Sequence, residues 1–506
     1  MLVTFFSILV SIGLHYLLLS NIFDRSKRSS ILSKAVISSL FSLGISLLLS
    51  DYYIGPIVLT ILFSVGYYYA DLYGELSYGS VASVLETNKD EAREYLSLID
   101  KKAIGKVSFL SLAFFISHAS NIDIGVFSYY LAYFSAFLLV LSLISMANIY
   151  LTDENKSNAA VKILKYNSIL NIFSHVFEYL KYKRLTRSIE IKPNWTNVVK
   201  NRESSDVYIV VIGESACRDR FHVYGHDVKN TPEIKDMYGY KVVEDAIAPS
   251  TQTMTSIPRI LSINDLEVGV DFDRNIIDLA NEAGFETYWL SNQGKLGTAD
   301  TAVTILASRA KNCKFLQSEY STAGSDFDLI NEVENILKND KESPKLIFLH
   351  TMGSHWNFCE RSELGRYRID KIDDQLDCYD NTIYNTYMML EDIRTVLSEY
   401  NSKYKMVYFS DHGLAKTTEF PYLTHGVGKL FSYSAAEVPL FFINDSTTED
   451  GEMLKETYYL RDFVHTLAEW LGIQADEVNE ELSLFNTNRT KQSEYILDDS
   501  LKVIER

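Results

Sequence analysis

The chain has 506 residues, 47% of them hydrophobic, and a formal net charge of −18. At roughly 100–200 residues per domain, that length holds two or three units. So acidic a balance argues against nucleic acid as the main partner, because phosphate backbones are met by basic surfaces.

The composition divides the chain. Residues 1–150 are dominated by Leu, Ile, Val, Phe, Tyr and Ser, and residues 151–506 carry most of the charge. A bilayer crossing takes about 20 mostly apolar residues. Five segments fit: 2–22, 32–50, 54–73, 104–122 and 124–150. Tyr52, Tyr53, Tyr67, Tyr68, Tyr69, Tyr129 and Tyr130 lie near their expected ends, where aromatic belts form. The first span has no basic leader or small-residue cleavage site and is followed by more spans, so it reads as an anchor. Five spans put the soluble part opposite the N-terminus. Arg25, Lys27 and Arg28 draw the first loop to the cytoplasm, which would keep the soluble part inside as well. Segment 74–105 is polar. Its Thr87 and Glu91 are four apart and share a helix face. That face is either a solvated connector or a surface meeting a lipid head group.

Residues 151–205 are basic and aromatic, and read as a linker with helices along the membrane. The soluble fold begins at 206. Val207–Gly213 is an unbroken apolar run, as in a strand buried on both faces of a parallel sheet. Similar runs lie at 285–291, 346–350, 406–410 and 438–444, with helical patterns at 276–283, 327–337 and 379–397. The alternation predicts a three-layer α/β domain over 206–506 with a mostly parallel sheet. Sites in such sheets gather at the carboxyl ends of strands.

Those ends carry metal-type ligands: Glu214 after the first run, Asp411 and His412 after another, and His350 with His355 close behind. His425 follows in Thr-His-Gly. Carboxylates with imidazoles suit Zn²⁺ or Mn²⁺, whereas a lone strand-end acid is more often a cap or surface group. The hydroxyl-rich stretch 250–256 leads into a helix. A hydroxyl at a helix N-terminus gains from the positive dipole end, although a plain N-cap run of Ser and Thr reads the same way. Among the cysteines, Cys217, Cys313, Cys359 and Cys378, no CxxC pair occurs, which disfavours a zinc knuckle. Cys359 and Cys378 flank a polar loop and suit a disulfide in an oxidising compartment; four independent thiols fit the sequence equally.

The motifs Val211-Ile-Gly-Glu214-Ser-Ala-Cys-Arg218-Asp-Arg220, Ser250-Thr-Gln-Thr253-Met-Thr-Ser-Ile-Pro-Arg259, His350-Thr-Met-Gly-Ser-His355, Cys378-Tyr-Asp-Asn-Thr382 and Ser410-Asp-His-Gly413 together resemble the phosphoethanolamine transferases of Gram-negative inner membranes. These are sulfatase-like enzymes of the alkaline phosphatase superfamily. The resemblance implies a five-helix membrane domain (1–150), a surface linker (151–205) and a periplasmic catalytic domain (206–506). It implies Zn²⁺ on Glu214, Asp411 and His412, with Thr253 as fourth ligand and nucleophile and Thr251 and Thr255 as rivals. His355 and His425 would contact the phosphate or hold a second zinc. Asn292 and Lys295 would meet the donor's head group, as would Thr87 and Glu91; Ser83 stands where the family often has Asn. The implied reaction is ping-pong, from phosphatidylethanolamine to lipopolysaccharide core, lipid A or another periplasmic acceptor, by a monomer without nucleic acid. Alternatives are a phosphodiesterase or sulfatase of the same superfamily, a glycerol-phosphate transferase of the lipoteichoic acid type, and an inactive scaffold. The first lacks its Cys-x-Pro-x-Arg pattern here.

Overall fold

The computed structural model describes residues 2–23, 28–50, 53–74, 81, 101–120, 124–151, 167–201, 205–294, 301–317, 324–339, 344–400, 402–418, 423–490 and 492–506. Thr87, Glu91 and Lys295 lie outside them. The chain forms two compact units, residues 1–185 with 427–429, and residues 186–426 with 430–506.

The first unit is helical: α1 (Leu2–Ile22), α2 (Arg28–Leu48), α3 (Ile54–Tyr73), α4 (Lys101–Ala119) and α5 (Val126–Leu151), with α6 (Leu170–Arg187) running out of it. Among the described residues, four helices are long and apolar enough to cross a membrane: α1, α2, α3 and Val126–Asn148 of α5. The fourth expected span does form a helix, α4. Its first turns carry Lys101, Lys102 and Lys106, so the apolar stretch is shorter than in its neighbours. Large side chains such as Phe5, Phe6, Phe109, Phe127 and Tyr130 face outward, as expected where the surrounding medium is lipid. Inside, Leu14, Phe41, Phe63 and Phe114 pack together. Gly44 lets α2 approach α5 closely, since a Cβ there would run into Ser135.

A polar cluster sits within that apolar core. His15 Nδ1 lies 2.7 Å from Ser168 Oγ and its Nε2 lies 2.9 Å from Ser42 Oγ. Ser42 Oγ is in turn 2.8 Å from His118 Nε2, and His118 Nδ1 is 2.8 Å from the Phe114 carbonyl.

The second unit is built on a sheet of β1 (Val207–Gly213), β2 (Tyr240–Ile247), β3 (Glu286–Ser291), β4 (Asn312–Phe315), β5 (Lys345–His350), β6 (Tyr404–Ser410), β7 (Glu437–Val438), β8 (Leu440–Asn444) and β9 (Glu452–Tyr459). The order is β7-β2-β8-β6-β1-β5-β3-β4, with β9 also on β2. Strands β6, β1, β5, β3 and β4 are parallel, and β8 runs antiparallel to β6. Helices α7 (Thr253–Leu261), α8 (Ile276–Glu282), α9 (Asp328–Asn339), α10 (Phe358–Leu364), α11 (Gln375–Glu399) and α12 (Phe463–Trp470) accompany it. One core cluster takes Tyr208, Val210 and Ile212 of β1, and a second takes Val207, Ile209 and Val211. The central strand is therefore covered on both faces, which is why its sequence is apolar without alternation.

Register aligns the strand ends. Gly213 pairs with Ser410, and Ile212 pairs with His350. The residues that follow, Glu214, Asp411 and Thr351, leave the sheet side by side at its carboxyl edge.

Candidate active site

Glu214, Asp411 and His412 are all buried, and one ligand atom from each lies within 4.8 Å of the others. Adjacent parallel strands deliver the two carboxylates, so hydrogen-bonded neighbours fix their separation. The backbone turns sharply after Glu214: Ser215 has φ of +58°, a left-handed conformation uncommon outside glycine. That turn lets Ser215 Oγ donate to Glu214 Oε1 at 2.7 Å. Gly353 also approaches Glu214. At φ +47°, a Cβ on it would meet the Glu214 amide nitrogen at 2.9 Å and carbonyl oxygen at 2.8 Å.

Burial alone would raise the pKa of Glu214. The hydrogen bond and charge of His412 outweigh it and hold the carboxyl well below its usual range. Asp411 goes the other way, raised by burial and by the Glu214 charge beside it. For His412, burial works against protonation, but the charges of Asp411 and Glu214 prevail and raise it. Two carboxylates and one imidazole thus share one buried space with too little positive charge. Asp411 Oδ2 has no hydrogen-bond partner there. A buried carboxylate oxygen with no hydrogen bond, beside a second carboxylate and with only the His412 ring 3.6 Å away to offset it, fits a divalent cation. The ring of His412 is oriented to join them. Its Nδ1 lies 2.7 Å from the Gly413 carbonyl, which turns Nε2 toward the carboxylates, 3.3 Å from Glu214 Oε1, where a metal would take the place of the second ring proton.

Thr253 opens α7 and points into this cluster. Its Oγ1 donates to Glu214 Oε2 at 3.0 Å and lies 3.3 Å from His412 Nε2. Thr251 faces elsewhere, its hydroxyl donating to the Gly426 carbonyl at 2.9 Å. Thr255 is buried within the helix. Two further histidines close the space above. The His425 ring lies 5.3 Å from that of His412 and 6.3 Å from that of His355. Burial, with the charges of His412 and His355, pushes His425 down to about 3. His355 Nδ1 lies 2.7 Å from the Trp356 carbonyl, which fixes the plane of its ring.

Asn292 is fully buried and turned away from the cluster. Its Nδ2 donates to Asp326 Oδ1 at 2.7 Å and to the Gly324 carbonyl at 3.0 Å. The next residue, Gln293, is the one that reaches in, donating to Glu214 Oε2 at 3.1 Å and to the Thr351 carbonyl at 2.8 Å. Sequence reasoning missed Gln293, although the strand-end logic applied to Glu214 and Asp411 holds equally for the Ser291-Asn292-Gln293 end of β3. It also missed Asp326, which accepts from the Met352 and Gly353 amides at 2.8 and 2.9 Å and from Arg361 at 3.1 Å. These bonds fix the loop that carries His355. Cys359 and Cys378 form a disulfide. Cys217 is a buried thiol, raised to about 11 by burial, and its Sγ accepts from the Leu414 amide at 3.1 Å.

The sulfatase family model matches residues 206–473. Phosphoethanolamine transferase OpgE of Escherichia coli is 33% identical over 304 residues, 59% of this chain and 56% of that protein. The chain therefore matches little more than half of that relative's length. A putative phosphoethanolamine transferase of Haemophilus influenzae is 30% identical over 355 residues, 68% of this chain and 70% of its own. Among solved structures, the lipooligosaccharide phosphoethanolamine transferase A of Neisseria meningitidis, an integral membrane protein, covers 95% of this chain and 97% of its own, with TM-score 0.60 and 17% identity. The periplasmic domain of E. coli EptC, solved in complex with Zn, covers 62% of this chain and 96% of its own, with TM-score 0.54 and 19% identity. At those identities the structures speak for the fold.

Proposed function

The chain belongs to the phosphoethanolamine transferases of the sulfatase family, and on that premise we propose that it carries phosphoethanolamine from phosphatidylethanolamine to a saccharide acceptor through a phosphothreonine at residue 253. The reading extends to a five-span anchor in the bacterial inner membrane, a periplasmic catalytic unit, and Thr87, Glu91 and Lys295 as donor contacts. The acceptor class is a hydroxyl or phosphate of lipopolysaccharide or another periplasmic glycan.

The observation that supports it most is Thr253 Oγ1, 3.0 Å from Glu214 Oε2, at the rim of three ligands within 4.8 Å of one another. Zinc held by Glu214, Asp411 and His412 would supply Lewis-acid polarisation of phosphoryl oxygens and a lower pKa for the Thr253 hydroxyl. Thr253 directs its hydroxyl proton at Glu214 Oε2. As Oγ1 bonds to phosphorus, the bond from phosphorus to the glycerol oxygen breaks. A protonated His355 gives diacylglycerol the proton it takes away. In the second half an acceptor hydroxyl gives its proton to His355, now neutral, as its oxygen bonds to phosphorus and displaces Oγ1, which takes back its proton from Glu214. Neutral His425 offers a hydrogen bond to phosphoryl oxygen without adding a fixed charge. Positioning and electrostatics carry most of such a reaction. The donor's acyl chains stay in the bilayer, which accounts for an anchored enzyme.

The test uses the full-length protein in liposomes whose phosphatidylethanolamine carries labelled ethanolamine, without acceptor. The expected products are diacylglycerol and one labelled phosphoethanolamine on the peptide bearing Thr253. Phosphatidic acid as the lipid product, or label on another residue, overturns the reading.

A further inference from the structure

The segment Cys378–Thr382 lies in the first two turns of α11, and no step above uses it. Consecutive helix residues point about 100° apart, and each of these five reaches a different part of the site's scaffold. Cys378 is bonded to Cys359. The hydroxyl of Tyr379, fully buried, donates to the Ser215 carbonyl at 2.7 Å and accepts from the Cys217 amide at 2.8 Å. Asp380 accepts from Arg220 Nε and Nη2 at 2.9 and 2.6 Å. Asn381 donates to Ser362 Oγ at 2.7 Å and accepts from the Ile369 amide at 2.9 Å. Thr382 Oγ1 lies 2.8 Å from Ser354 Oγ.

We infer that Tyr379 is a positioning residue for Glu214, setting the affinity of the site for its cation, while Thr382 separately positions the loop of His355. The inference rests on the reading that Glu214, Asp411 and His412 hold that cation. One phenol oxygen clasps both sides of the turn that follows Glu214, the carbonyl of Ser215 and the amide of Cys217. Ser215 lies between them with φ of +58°, a conformation that persists only where its surroundings fix it. Its hydroxyl in turn orients Glu214 Oε1. Without the phenol oxygen, a buried carbonyl and a buried amide lose their partner. The turn then relaxes to satisfy them, and Glu214 moves with it. Thr382 touches the Ser354 hydroxyl, one residue before His355, and its own described bonds do not reach the 214–217 turn. Ser354 meets that turn only through its backbone amide, which donates to the Glu214 carbonyl at 2.9 Å and does not depend on the Thr382 hydroxyl.

Full-length protein in detergent, stripped of metal and titrated with Zn²⁺ against a competing chelator, separates the possibilities. Wild type should bind far more tightly than Glu214→Gln; equal binding by those two sinks the cation reading itself. With that difference in hand, Tyr379→Phe should bind about 10- to 100-fold more weakly, the range for losing a group that orients a metal ligand. Thr382→Val should bind as wild type and lose turnover instead. Tyr379→Phe binding as tightly as wild type overturns the inference whatever its activity. Hydrogen exchange on metal-free wild type tests it without any variant. The Cys217 amide should be protected, and fast exchange there overturns it as well.

Discussion

Two buried polar clusters, one in each unit, differ in how they are satisfied. In the helical unit every ring nitrogen of His15 and His118 has a partner. One proton per ring completes a chain from Ser168 through His15, Ser42 and His118 to the Phe114 carbonyl. In the sheet unit, Glu214 and Asp411 crowd each other and Asp411 Oδ2 has no hydrogen bond. The first cluster is complete with protein atoms alone and acts as helix-to-helix glue. The second is left with excess negative charge, the signature of a site built for something the chain does not itself provide. Burial and polarity are common to both; the unmet demand distinguishes them.

The sharpest break in that comparison is Thr253→Ala. It leaves the carboxylates and His412 in place, so Zn²⁺ should still bind, yet transfer should fall by on the order of 10⁴-fold or more, as for loss of a covalent nucleophile. Zinc content by elemental analysis and transfer from labelled lipid report the two effects separately. Next is Asp411→Asn. Cation binding should be lost and transfer should drop about 10³-fold. The metal-free chain, however, should melt at a higher temperature than wild type, because a carboxylate raised by burial and by Glu214 no longer has to ionise beside it. A lower melting temperature would contradict the unmet-charge account.

A third test concerns His350, whose Nε2 is also buried without a partner and whose pKa burial lowers to about 4. The unfolded chain binds that proton first, so this group's contribution is intact above about pH 6.5 and declines as pH falls toward 4. The loss amounts to roughly 3 kcal/mol. Urea unfolding of the sheet unit should show that slope in wild type and a shallower one in His350→Gln. The smallest effect is expected in the glue. His15→Phe should cost about 1 kcal/mol of helical-unit stability, opposite in sign to Asp411→Asn, with Zn²⁺ affinity unchanged in the same titration.

The frame of the sheet unit was legible because its residues repeat one physical message. Val207–Gly213 is apolar and buried throughout, and the strands ending at Ser291, His350 and Ser410 are mostly apolar and buried along nearly all their length. Glu214, Asp411 and His412 were legible because charged residues at the ends of such runs have few bland explanations. Gln293 was hidden because an amide's role depends on which way its loop turns, and Asn292 beside it looks the same in sequence. Nothing local in Ser215 announces a left-handed backbone, and nothing in Tyr379 announces that its hydroxyl closes a turn more than 160 positions away. Helix α4 shows the converse: its apolar pattern predicted an element, and the lysines at its start keep it from matching the other four in apolar length.

The pairing of Gly213 with Ser410 has a consequence for how such enzymes diversify. It works as a ruler. Glu214 and Asp411 stay matched as long as both strands keep their count, and a single inserted residue in either would turn its carboxylate to the opposite face. Insertions farther out, in the stretches after His355 or His425, change nothing in that count. The spacing of the two carboxylates is therefore fixed by strand arithmetic, while loop length beyond it can vary without disturbing that spacing.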